Sequence, residues 1–418
     1  MSIRTLALAS CCILALAAPA LADTTITILH VNDNKTAVKI WDQSAADYNA
    51  AHKGVKVEFK YLENEAFKAK LPTMLQSDAS RPQAFYSWGG GVMEAQAKAG
   101  FLKDIKGEVG DVASTLSPTA VAAFTLDGKL YGLPFDTDAV PIFYNKALFA
   151  KAGVSAADMG TWDGFLAGVQ KLKATGITPI VVGAGEKWPM HFWYSYLVMR
   201  IGGSQALADA KAGKDGGFNN KTFVDAGQKL QQLAALQPFQ PGYNATTHAQ
   251  SAAIFGDGKA AMDLMGSWLL GMQGANASDG KGQPEANIGV MPFPAIPGGK
   301  GEIGDTLGGV HAFLVTKGAP AETADFLKFF SQKKYADEAA DVGAYIPVVA
   351  GAESHIKDPL VKQIAEMLAK TKYHQNFFDQ DLGPSVGRVI NDVSVDVAAS
   401  KMTPQAAAAA IQEAEEQK

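Results

Sequence analysis

TTITILHVNDNKTAVKIWDQSAADYNAAHKGVKVEFKYLEN, residues 24–64, changes its hydrophobic period twice. TTITILHV alternates β-branched and apolar residues, which predicts a strand. KTAVKIWDQSAADYNAAH (35–52) spaces its apolar residues at helical intervals, and GVKVEFKYLEN (54–64) returns to a strand pattern. AFKAKLPTMLQSDAS (66–80) reads as a helix interrupted near Pro72, and PQAFYSW (82–88) as a third strand. A strand–helix–strand–helix–strand order predicts α/β architecture with a mostly parallel sheet and covering helices.

The pattern resumes downstream. DAVPIFYNKALFAKAG (138–153) runs from strand into helix. TWDGFLAGVQKLKATG (161–176) is an amphipathic helix with Thr161 as N-cap, and ITPIVVGAG (177–185) is a short apolar strand. FVDAGQKLQQLAAL (223–236), HAQSAAIFGDGKAAMDL (248–264) and AETADFLKFFSQKKYADEA (321–339) predict helices, and GGVHAFLVT (308–316) predicts a strand. Thr403 caps a C-terminal, alanine-rich helix. The Gly/Pro-rich stretch MPFPAIPGGKGEIGDTLGG (291–309) reads as a crossing between two bodies.

The 418 residues carry a net charge of −5, with 47% hydrophobic and 19% charged residues. No basic block points to nucleic acid. At the N-terminus, MSIR precedes the apolar run TLALASCCILALAAPA, and ALA at 20–22 has the form of a signal-peptidase site. We expect a secretory signal over residues 1–22, cut before Asp23, and a periplasmic protein. LASC (8–11) resembles a lipoprotein box at Cys11, but the apolar run before it is short for that processing. Both cysteines, Cys11 and Cys12, lie in this segment, so the processed chain has no thiol and no disulfide to form. Loss of Arg4 moves the charge from −5 to −6.

The chain carries no HExxH, no close histidine pair, no G-x-S-x-G elbow, no Walker loop and no GxGxxG after a strand. DQDLG (379–383) begins like a calcium loop without the remaining ligand spacing. We therefore expect neither a metal nor a cofactor, and no enzyme. A secreted glycoside-acting enzyme is the rival reading, because the fold could bring two carboxylates together. A binding protein for a charged small solute is another, although only Arg81, Arg200 and Arg388 would be left to pair an anion.

Aromatic residues recur beside glycine and short polar groups. FYSWGGG (85–91), GEKWPMHFWYSY (185–196), MGSWLLG (265–271) and HQNFFDQD (374–381) are the clusters. A pyranose stacks its C–H face on an aromatic ring and offers its hydroxyl rim to planar donors and acceptors. Tyr194 and Tyr196 read as core residues. Trp88 reads as an exposed platform, with Gly89–Gly91 clearing space before its face.

FYSWGGGVMEAQAKAGFLKDI, GKLYGLPFDTDAVPIFYNKALFAKAG followed by TWDGFL, and IFGDGKAAMDLMGSWLLG together resemble the extracellular solute-binding proteins of sugar ABC importers, the group that includes the maltose-binding proteins. The resemblance spans the chain beyond the signal. It implies a two-lobed periplasmic-binding-protein fold, each lobe a mostly parallel sheet flanked by helices, joined by hinge strands. The expected lobes are 23–138 plus 310–353, and 139–309 plus 354–418. The implied partners are a neutral oligosaccharide of about two to four units, held in the cleft by a monomeric protein, and the permease that receives it.

Carried over residue by residue, the resemblance implies Trp88 as a cleft-wall aromatic and Asp138 as an acidic sugar ligand, with Asp136 its neighbour. Trp268 matches the principal stacking residue. Trp188 would line the far lobe, with Glu186 a weaker candidate. The first strand–helix loop contributes Asn32 and Asn34, and the loop after the second strand contributes Glu63 and Asn64. Gly308 and Gly309 would let backbone approach the ligand. Asp379, Gln380 and Arg388 complete the set. Where the maltose binders have an aspartate three residues after the tryptophan, this chain has Gly91, which argues against a maltodextrin ligand. Bland alternatives are a hinge role for Asp138, satisfied by backbone N–H groups, and a core role for Trp268.

Overall fold

The opening unit folds as its periodicity demands. In a computed structural model, which describes residues 24–418, Thr24–His30 pairs in parallel with Val55–Tyr61 and with Ala84–Ser87. The segment expected to be a secretory signal, with Cys11 and Cys12, lies outside the described residues. Helix Lys35–Ala51 begins at Asn34, whose Oδ1 accepts the N–H groups of Thr36 and Ala37, and it buries Ile40, Trp41, Ala45 and Tyr48. Helix Asn64–Gln76 runs uninterrupted through Pro72. Proline removes one intrahelical N–H, but Phe67, Leu71 and Leu75 hold the opposite face in the core while Pro72 is exposed.

Two lobes form around two sheets. The larger runs Ile346–Pro347, Gly132–Ala139, Thr306–Val315, Ala84–Ser87, Thr24–His30, Val55–Tyr61, with His374–Asn376 joining Thr306–Val315 in parallel. The smaller runs Ile288–Met291, Ile142–Asn145, Ala260–Leu264, Thr178–Val181. Both are mixed rather than mostly parallel. Gly132–Ala139 and Thr306–Val315 pair antiparallel with each other, as do Ile142–Asn145 and both its neighbours. The physical reason is connectivity: Gly132–Ala139 carries the chain out of the larger sheet and Thr306–Val315 brings it back, so the two run in opposite directions.

Each lobe has its own aromatic core. Trp41, Phe85, Phe313 and Phe326 anchor one, and Phe143, Trp162, Trp193 and Phe293 the other. Tyr194 and Tyr196 are fully buried in the second, donating to the Phe223 and Val140 carbonyls at 2.9 and 2.7 Å. The chain passes between sheets across Val140 and Pro141, and again through the irregular stretch 292–305. That stretch is held by the buried Arg200, whose Nη2 donates to the carbonyls of Phe293, Ile303 and Asp305 at 3.2, 3.1 and 3.0 Å. One predicted helix ends early: His248–Gly256 stops before Gly258 (φ +67°), and Ala260–Leu264 is a buried strand. Pairing on both sides outweighs the helical propensity of its alanines.

Candidate functional site

A cleft opens where the two lobes face each other. Ten expected residues line it: Asn32, Asn34, Asn64, Trp88, Asp136, Asp138, Trp188, Trp268, Asp379 and Gln380. Five lie outside the lining. Glu63 is exposed and spends its carboxylate capping helix Asn64–Gln76 through the Glu65 and Ala66 N–H groups. Gly308 and Gly309 sit within Thr306–Val315, where a Cβ would strike the Asp138 carbonyl and the Phe377 ring respectively, so they serve strand and ring packing. Arg388 is exposed on helix Pro384–Ala398. Glu186 is half-buried beside the cleft, and burial raises its pKa. Its Oε2 accepts the Trp188 indole N–H at 3.2 Å.

Trp88 is half-buried, edge-on to Tyr86 at 5.0 Å and to Phe67 at 6.0 Å. The glycines after it do not clear space for a ligand. A Cβ on Gly90 would lie 2.9 Å from the Gln380 carbonyl, and one on Gly91 would lie 2.5 Å from the Asp381 carbonyl. The Asn376–Gly383 backbone fills that space, and Asn376 Nδ2 donates to the Trp88 carbonyl at 3.0 Å. Gly91 therefore replaces an acid at a position where no side chain fits.

Trp268 follows strand Ala260–Leu264 rather than a helix, and begins helix Leu269–Asn276. Gly266 is required there, because a Cβ on it would enter the folded-back Trp268 ring. Trp188 lies 6.4 Å from Trp268, and Phe377 lies 6.3 Å from Trp268, so three rings form a continuous wall.

The acids are already engaged. Asp138 accepts the Ser267 N–H (3.1 Å), the Ser267 hydroxyl (2.9 Å) and the Ala139 N–H (2.7 Å), tying the end of Gly132–Ala139 to the loop before Trp268. Burial nevertheless pushes its pKa up to about 7. Asp136 Oδ1 stands 2.6 Å from His311 Nδ1. Burial works against the imidazolium, but the Asp136 carboxylate prevails and raises the His311 pKa. Asp379 is buried, which disfavours its charge, yet Lys68 Nζ at 3.5 Å and His191 hold it below the usual carboxylate range.

The aromatic clusters singled out in the sequence contain His191, Ser267 and Phe377 without assigning them to the ligand, and Lys68, His248 and His311 were passed over; all six also line the cleft. His311 had a signal: it is a lone titratable residue in the apolar strand GGVHAFLVT. Lys68 and His248 had none, since nothing in their spacing distinguishes them. Among the described residues no cluster of His, Cys, Asp and Glu is placed to hold a metal ion.

The sequence profile of bacterial extracellular solute-binding proteins matches residues 32–337. An uncharacterised ABC transporter extracellular-binding protein of Pyrococcus horikoshii is 25% identical over 60% of this chain. The matched region spans 56% of that relative, and a second relative from the same organism is matched over 36% of its length. The diacetylchitobiose binding protein DasA of Streptomyces coelicolor is 27% identical over 78% of this chain and 74% of its own. A solved chitin oligosaccharide binding protein superposes with a TM-score of 0.85 at 25% identity, covering 95% of this chain and 99% of the other.

Proposed function

The chain belongs to the bacterial extracellular solute-binding protein family, and on that premise we propose that its cleft captures a neutral oligosaccharide of about two to four units. The bound form is handed to the permease of an ABC importer, from the periplasm, by a monomer with lobes 23–138 plus 310–353 and 139–309 plus 354–418. Contacts from both lobes to one ligand favour the closed state.

The observation that carries this reading is an aromatic-walled cleft whose buried acids and cations are already engaged. Asp136 faces His311, Asp379 faces Lys68, and Asp138 is occupied by three donor groups. An anion finds the cleft's cations, Lys68 and His311, already paired, and the Asp33 carboxylate at the rim is exposed to water. A pyranose finds Trp88, Trp188 and Trp268 for its C–H faces and amide and carboxylate oxygens for its hydroxyls. Likeness to DasA and to a chitin oligosaccharide binding protein supports a saccharide and puts chitin fragments first in the panel.

The test is isothermal titration with N,N′-diacetylchitobiose, xylotriose, maltotriose and raffinose, set against spermidine and a mixture of amino acids. Saturable heat with at least one neutral sugar is expected. Binding confined to spermidine or an amino acid would overturn the proposal.

A further inference from the structure

We propose that His191, His248 and His311 read the ligand directly, each hydrogen-bonding a hydroxyl of the bound saccharide through a buried ring nitrogen. This rests on the saccharide reading above and adds a polar floor to its aromatic wall.

Four ring nitrogens carry the argument. Among the described residues, His191 Nε2, both nitrogens of His248, and His311 Nε2 are buried without a hydrogen-bond partner. The residues are 1%, 8% and 4% exposed, and all three line the cleft. Buried polar atoms are nearly always paired, because an unmade hydrogen bond forfeits the water left behind. Four such atoms around one cleft mark where a ligand would supply the partners. His191 and His248 come from the smaller-sheet lobe and His311 from the strand Thr306–Val315 of the larger sheet, so a ligand touching all three bridges the lobes.

Geometry fixes what each nitrogen offers. His191 Nδ1 lies 2.7 Å from the Trp188 carbonyl, which only accepts, so Nδ1 carries the hydrogen. Burial lowers the ring's pKa against the pull of Asp379, whose Oδ1 faces Nε2 at 3.8 Å, beyond hydrogen-bond reach, so Nε2 is left for a ligand hydroxyl. His311 Nδ1 donates to Asp136 in the same way, and that carboxylate favours a second proton on Nε2, making it a donor. Neither nitrogen of His248 is engaged, and burial lowers its pKa to about 4, so it offers one donor and one acceptor. A hydroxyl both donates and accepts, so it satisfies each of these; a carboxylate or an ammonium satisfies only some.

Each imidazole also stands beside an aromatic ring. His248 is 4.8 Å from Trp188, His191 is 4.8 Å from Phe192, and His311 lies nearly parallel to Phe377 at 6.4 Å. Polar rim next to stacking face is the arrangement a pyranose ring presents.

The experiment first finds the tightest of N,N′-diacetylchitobiose, xylotriose, maltotriose and raffinose for the wild type, then repeats that titration on His191→Leu, His248→Leu and His311→Leu. We expect Kd to rise by about 10–100-fold for His191→Leu and His248→Leu, the range for a lost buried hydrogen bond. His248→Gln, which keeps a donor and an acceptor, should recover most of the loss. Imidazole nitrogen shifts in isotope-labelled wild type, which need no variant, should move for all three rings on adding the sugar. A wild type that binds a sugar while the folded variants bind it equally well, or while the ring shifts stay fixed, overturns the histidine proposal alone. A wild type silent to all four sugars overturns the saccharide reading with it.

Discussion

Lys68 Nζ stands 3.5 Å from Asp379 Oδ2, joining two residues 311 positions apart across the cleft. Lys68 belongs to helix Asn64–Gln76 on the larger sheet, and Asp379 to the short helix Phe378–Asp381 packed against the second core. The same ammonium lies 5.7 Å from the Trp88 ring centroid, so one cation serves both the acid and the platform.

Replacing Lys68 with Met should therefore cost about 1–2 kcal/mol of stability, between the worth of an exposed and a buried pair. The sign with pH follows from both partners. The Asp379 pKa is depressed, so its contribution is present above about pH 4 and is lost as pH falls through its folded value. Burial opposes the Lys68 charge, but Asp379 and Glu65 outweigh it and raise its pKa, so its contribution is lost only as pH climbs through that raised value. Urea unfolding should show a wild-type advantage that is flat from roughly pH 5 to 9 and shrinks below about pH 4. An advantage that instead peaks near pH 6 would implicate His191 rather than Lys68.

Trp88→Ala and Trp268→Ala should each weaken sugar binding by about 1–3 kcal/mol, the burial worth of a large apolar side chain. Both rings are half-buried, so melting should change little. Trp41→Ala and Trp162→Ala, at fully buried positions, should instead lose about 3–5 kcal/mol of stability. Titration and thermal melting on the four variants separate wall from core; a sharp melting loss at Trp268 would make it core.

Gly91→Asp restores the acid found in maltose binders, yet it should gain no maltotriose affinity. Its Cβ would lie 2.5 Å from the Asp381 carbonyl and 2.8 Å from the Gly383 nitrogen, both backbone. Overpacking there should cost about 1–3 kcal/mol. Gly91→Ala should cost nearly as much, since the clash is with Cβ. A stable Gly91→Asp protein that newly binds maltotriose would refute this account of the glycine.

Asp138 has a pKa pushed up to about 7 by burial, above its unfolded value. Ionising it is harder in the folded state, so wild-type stability falls relative to Asp138→Asn as pH rises from about 4 to 7. The slope is at most about 1.4 kcal/mol per pH unit. Unfolding free energies measured in pH steps on both proteins would show it. A gap independent of pH would mean that the Ser267 and Ala139 donors hold Asp138 ionised throughout.

The local grammar of the fold was legible in the sequence. The alternation of TTITILHV, the helical spacing of KTAVKIWDQSAADYNAAH and the caps at Thr161 and Thr403 each depend on neighbours a few residues away. The aromatic clusters also stood out, because a tryptophan beside glycine is conspicuous wherever it falls. Where local reading failed, tertiary pairing had overridden it: Pro72 stays helical over a packed face, and Ala260–Leu264 is a strand because two strands flank it.

What the sequence by itself determined was the element order, the α/β class and the aromatic character of the site, while the two lobes were implied by the family resemblance. Period, caps and composition act over one or two turns and need no partner. Only the tertiary structure decided that Gly91 faces the Asp381 backbone instead of a ligand, that Lys68 meets Asp379, and that three scattered histidines turn free nitrogens into one cleft. Those meetings are set by where the chain crosses between sheets, and no local pattern encodes a convergence of residues hundreds of positions apart.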